Sequence, residues 1–270
     1  MKKKAIMIIG GILLTLTAAQ TVILGVMGGI GPLGFIRKNK ISKLPGNQEK
    51  YNFDSIEPLE DSPLKGKHIG VLGSSVFYGA SSNGTAIGEY LCARHGCTMT
   101  KSAVNGTTLC DTSDQSYVSR LKALDTSEHF DMFFVQLSTN DATKGLSLGE
   151  VGTSDTDTIE GAMRTIIEYI SDTWHCPVVF ITGTRYDSHG WKNYVAMRER
   201  LLTLCETYDN LTVIDLWGDE NYNAIDDASR TLYMADGIHP TKAGYRDWWG
   251  PEIDRQLLAA FNKAEIQAQQ

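Results

Sequence analysis

The chain has 270 residues, 42% of them hydrophobic and 21% charged, which excludes an extended disordered or low-complexity protein and allows one domain with a sizeable core. The formal net charge is −7, but residues 1–40 hold six Lys or Arg and no acid, so the remainder is near −13. Such an acidic domain repels phosphate backbones, which argues against nucleic acid as a partner. Five cysteines (Cys92, Cys97, Cys110, Cys176 and Cys205) show no paired CxxC spacing, so neither a disulfide framework nor a structural zinc site is predicted. Cys92, His95 and Cys97 lie close in sequence but lack a fourth metal ligand at suitable spacing.

From Ala5 to Ile36 no residue is charged, and Lys2, Lys3 and Lys4 stand directly before this run. Ala5 to about Met27 is long enough to cross a bilayer as a helix. Residues 1–36 are therefore expected to form an N-terminal membrane anchor. Thr17-Ala18-Ala19 offers a weak signal-cleavage site, yet apolar residues continue well past it, which favours an uncleaved anchor. The leading lysines place the N-terminus in the cytoplasm and the domain outside.

Residues 37–66, with Pro45, Pro58 and Pro63 and no sustained period, read as a tether, and residues 67–270 as the main domain. Short apolar runs at His68–Leu72, Met132–Leu137, Val178–Thr182 and Thr212–Leu216 predict four strands, and a further strand near Thr98–Val104 makes five. Between them, Ile159, Met163, Ile166, Ile167 and Ile170 share one face of a helix over Thr158–Trp174, and a second amphipathic helix covers Tyr194–Tyr208. A last helix is expected from about Thr241 into Ala264. Apolar strands alternating with amphipathic helices predict an α/β fold, a three-layer α/β/α sandwich around a mainly parallel sheet.

Ligands of such sheets bind beyond the carboxyl ends of the strands. Ser75 follows the first predicted strand, Gly106 the second and Asn140 the third, so three segments aim at one rim. A serine hydroxyl needs a base, and Asp236-Gly237-Ile238-His239-Pro240 puts a carboxylate within reach of an imidazole. The backbone amides of Ser75 and Gly106 and the side-chain amide of Asn140 are suitable oxyanion donors. Arg185 and Tyr186, after the fourth strand, are candidates for binding a polar substrate.

Four blocks carry a family likeness: Gly73-Ser74-Ser75, Ala103-Val104-Asn105-Gly106-Thr107-Thr108, Ser138-Thr139-Asn140-Asp141 and Asp236-Gly237-Ile238-His239. In this order, over about residues 67–262, they resemble the SGNH (GDSL-like) hydrolases. Ser74 replaces that family's usual Asp and Ser138 its usual Gly, while the four chemical groups are retained. The resemblance implies an α/β/α domain without cofactor or metal that hydrolyses esters through an acyl-enzyme, with Ser75 as nucleophile, His239 as base and Asp236 as its orienter. The substrates then expected are esters of small molecules or glycans, acetylated surface carbohydrate among them. Acyl transfer to a sugar hydroxyl by the same residues, or carbohydrate binding without turnover, are the alternatives. Oligomeric state and the acyl group are not encoded in any recognisable motif.

Overall fold

The computed structural model describes residues 34–186 and 189–268. The expected membrane helix lies outside the described residues, among which no helix is long and apolar enough to cross a membrane.

Five parallel strands form one sheet: β1 (His68–Gly73), β2 (Thr98–Ala103), β3 (Met132–Gln136), β4 (Val178–Ile181) and β5 (Leu211–Ile214), in the order β2-β1-β3-β4-β5. The order reverses between β1 and β3, the kind of switch point at which open α/β sheets form a crevice.

Period-two alternation divides the core into two layers. Leu72, Phe133, Val135, Val178 and Phe180 face α4 (Tyr117–Lys122), α6 (Ile159–Trp174) and α7 (Trp191–Cys205). Ile69, Val71, Phe134, Val179 and Ile214 face α2 (Ser75–Tyr78), α3 (Ile87–His95) and α10 (Gly250–Ala268). The short α1 (Gly34–Ser42), α5 (Thr139–Lys144), α8 (Glu220–Asn223) and α9 (Asp227–Tyr233) complete the helices named here. All five isoleucine and methionine positions predicted for the face of α6 are buried.

Two boundaries differ from the sequence expectation. The final helix is preceded by a π-helical segment, Gly244–Trp249, and the Gly244 N–H donates to Thr241 Oγ1 at 3.2 Å. Residues 44–64 form three short 3₁₀ turns and bury Tyr51, Phe53 and Leu64 against the domain. Asn47 fixes this segment, donating to the carbonyls of Ile41 and Ser81 and accepting from the Lys242 N–H at 2.8 Å.

Candidate active site

β1 ends in Gly73, and the chain turns at once into the single helical turn α2, whose first residue is Ser75. The turn is held from β3: Gln136 Oε1 accepts from the N–H groups of Ser74 at 2.9 Å and Phe77 at 3.1 Å. A side chain on residue 73 would meet Phe77 Cβ at 2.4 Å and Gln136 Oε1 at 3.0 Å, so glycine is what admits this clamp. Ser74 Oγ faces the Gln136 side chain, 62 residues away, and accepts from its Nε2 at 3.2 Å.

The loop after β2 is fastened to the same place. Arg120, buried on α4, donates to the Gly73 carbonyl at 2.8 Å and Thr107 Oγ1 at 3.3 Å. Gly106 has φ +77°, the left-handed region that favours glycine, while a Cβ there would touch nothing within 4 Å. Backbone conformation therefore explains this glycine within the protein. Asp141, fully buried on α5, accepts from the N–H groups of Leu109 and Cys110 at 2.8 and 2.9 Å, binding the β2 loop to the β3 loop. Asn140 Nδ2 donates one proton to the Thr107 carbonyl at 2.9 Å, which leaves the second N–H of the amide for another acceptor.

The fourth segment closes on itself. The Ala235 N–H donates to the His239 carbonyl and the Thr241 N–H to the Tyr233 carbonyl, making a tight loop of residues 234–240. Within it Asp236 Oδ1 accepts from the N–H groups of Ile238 and His239, both at 2.8 Å, and Oδ2 lies 2.8 Å from His239 Nδ1. His239 Nε2 lies 2.8 Å from Ser75 Oγ. With Asp236 accepting at Nδ1–H, Nε2 is left as the acceptor for the serine proton.

Partial burial alone would push the Asp236 carboxyl up. The hydrogen bond and charge of His239 and the two backbone N–H donors outweigh it and hold the carboxyl at about 2. Asp236 is thus ionised throughout the neutral range.

The other expected residues lie differently. Arg185 donates to the carbonyls of Trp217 and Gly218 and pairs with Glu220 at 3.1 Å, so its guanidinium fastens the loop after β5. Tyr186 is 7% exposed, packed edge-on against Tyr194 and Trp217. Cys92 and Cys97 Sγ are 3.8 Å apart, but His95 turns to Ser62 and Asp254 instead. Among the described residues no cluster of three His, Cys, Asp or Glu side chains is placed to hold a metal ion.

Gln136, Arg120 and Asp141 are the positioning residues that sequence reasoning missed. Each acts on a backbone segment remote in sequence, so no local spacing marks it.

A hydroxyl, an imidazole and a carboxylate thus stand in line at the carboxyl rim of a parallel sheet. The chain belongs to the GDSL-like lipase/acylhydrolase family, whose model matches residues 71–246, and is an ester hydrolase. Its fold is similar to that of a protein from Lactobacillus plantarum (19% identity, 74% of this chain and 98% of that one, TM-score 0.62). It is also similar to a possible lipase from Chitinophaga pinensis DSM 2588 (15% identity, 74% and 99%, TM-score 0.53). A third likeness is to a carbohydrate esterase family 2 enzyme with a carbohydrate-binding domain from Corynascus thermopiles (Myceliophthora fergusii) (16% identity, 76% and 69%, TM-score 0.51). At these identities the likeness is one of fold. No curated protein matches the sequence.

Proposed function

We propose that this hydrolase is a serine acyl esterase whose nucleophile is Ser75, acting on acyl esters of small molecules or carbohydrate. The observation that carries the reading is the pair of 2.8 Å contacts linking Ser75 Oγ to His239 Nε2 and His239 Nδ1 to Asp236 Oδ2. In this mechanism Oγ attacks the ester carbonyl carbon while Nε2 takes its proton. The oxyanion receives hydrogen bonds from the N–H groups of Ser75 and Gly106 and from Asn140 Nδ2. Ser75 N–H suits the role because the first residue of a helix has no intrahelical acceptor. His239 then protonates the departing alcohol, and water, activated by the same imidazole, releases the acid.

Beside Asp236 lies a groove of about 360 Å³ lined by Lys40, Ile41, Leu44 and Ser81. The groove is bounded by α1, which carries Arg37, Lys38 and Lys40 directly after the apolar N-terminal stretch. In this reading that stretch anchors the domain to the outer face of the membrane, bringing the groove close to the surface. A topology reporter fused to the C-terminus and active only in the cytoplasm would refute that placement.

Labelling by a serine-directed fluorophosphonate, located by peptide mass spectrometry, tests the chemistry. Modification of Ser75, lost in His239→Ala, is the expected result; labelling elsewhere, or none, refutes the assignment. Incubation with an acetylated glycan and a second sugar acceptor separates free acid from transferred acyl product, with free acid expected.

A further inference from the structure

At the carboxyl ends of β3 and β4 lies a second, much smaller space. Its walls include Val76, Thr139 and Ile238, the immediate chain neighbours of Ser75, Asn140 and His239. The three segments that carry nucleophile, oxyanion donor and base thus each contribute one side chain to a single cavity. About 10 Å³ is open there to the centre of a water-sized sphere, room for roughly one water or one methyl group.

The walls are fixed. Tyr194 Oη accepts from the Gly183 N–H at 2.7 Å and reaches the Leu137 carbonyl at 3.4 Å, holding the ends of β3 and β4 at a set spacing. Thr182, fully buried, accepts from the Trp217 N–H at 3.1 Å and donates to Asp215, which Arg198 in turn grips with two nitrogens. Gln136, also on the wall, is committed to the turn before Ser75. Gln136, Thr182 and Tyr194 are thus held in place by hydrogen bonds, while Val76, Leu137, Ile181 and Ile238 close the rest of the wall by packing.

Resting on the esterase reading of Ser75, we propose that this cavity is the acyl pocket and that it limits the substrate to a two-carbon acyl group, making the enzyme an acetyl esterase. With the carbonyl carbon against Ser75 Oγ and its oxygen among the oxyanion donors, the acetyl methyl enters the cavity. Each further methylene meets the fixed wall. One extra methylene in an apolar pocket discriminates by about 10- to 200-fold, so a butyryl ester is expected to lose at least that much in kcat/KM.

The test is a p-nitrophenyl ester series of acetyl, butyryl and octanoyl groups with the wild type and two variants. Gly183→Ala narrows the space without strain, since its Cβ would lie 3.5 Å from Tyr194 Oη and 3.8 Å from Trp249, ordinary contact distances. It is expected to lower acetyl turnover about 10-fold or more with an unchanged melting temperature. Ile238→Ala, at a partly buried position, is expected to raise the butyryl-to-acetyl ratio by at least about 10-fold. Octanoyl turnover equal to acetyl in the wild type, or acetyl turnover indifferent to Gly183→Ala, overturns the pocket while leaving the esterase intact. Absence of turnover with every ester, or turnover that survives Ser75→Ala, overturns the esterase reading itself. The wild-type profile decides the matter even where a variant fails to fold.

Discussion

Among the described residues two Ser–His–Asp arrays stand out, one at each end of the sheet. At the carboxyl rim Ser75, His239 and Asp236 are joined by 2.8 Å contacts, and the His239 side chain is 23% exposed. At the amino ends of the strands, Ser62 Oγ lies 2.8 Å from His95 Nδ1, and His95 Nε2 lies 3.0 Å from Asp254 Oδ1. There the His95 side chain is fully buried, so no substrate reaches it. Asp254 also accepts from Tyr90 Oη at 3.0 Å and Arg94 Nε at 3.1 Å, and Ser62 Oγ from the Leu64 N–H at 3.1 Å. This second array locks three elements together: the segment before β1, the end of α3 and α10. The same three residue types thus serve as a clasp where they are sealed and, in the proposed mechanism, as reactive groups where they stand partly exposed at the rim.

Ser75→Ala tests that contrast most severely. A fall of about 10⁴-fold or more in kcat is expected with the fold intact, as for other serine hydrolases deprived of their nucleophile. Ser62→Ala is expected to leave kcat within about twofold and to cost roughly 1 kcal/mol of stability, the net value of one hydrogen bond. Comparable activity losses in the two variants would erase the distinction. Next in size, Asp254→Ala should cost about 3–5 kcal/mol in urea unfolding, because it strands His95 and Arg94 without their shared buried acceptor. The rate per folded molecule is expected to persist. Asn140→Ala should reduce kcat by about 10²–10³ with little change in KM, the signature of a donor used in the transition state.

The same contrast explains how much was legible in the sequence. Strands buried on both faces read as continuous apolar runs, and α6 as a helical stripe, because burial there is dictated by period alone. Asp236 and His239 were legible because their geometry is local, the two lying three positions apart within one tight loop. Ser75, Gly106 and Asn140 stand out through their places after successive strands and through the blocks that resemble the SGNH hydrolases. The Ser62 array was not read at all: its members are separated by 33 and 159 residues, and each alone looks like an ordinary polar residue. Gln136 and Arg120 escaped for the same reason, since they bond to backbone groups of other segments. The packing of Tyr51, Phe53 and Leu64 gave a region read as a tether a structural part in the domain.

Acidification gives the finest separation of the two arrays. The Asp236 carboxyl is held at about 2 against an ordinary value of 3.8, so its hydrogen bonds with His239 and two backbone N–H groups add stability that is present above pH 4 and lost as pH falls toward 2. The carboxylate side chain is 54% exposed, and solvent screening reduces that contribution to about 1 kcal/mol or less. The difference in unfolding free energy between wild type and Asp236→Asn is therefore expected to be steady between pH 7 and about 4.5 and to shrink on further acidification. A difference that instead grew below pH 4 would mean that the carboxylate is destabilised in the folded state. The hydrogen bonds that orient His239 would then not be the ones seen here, and the rim array would lose the feature that sets its imidazole to face Ser75.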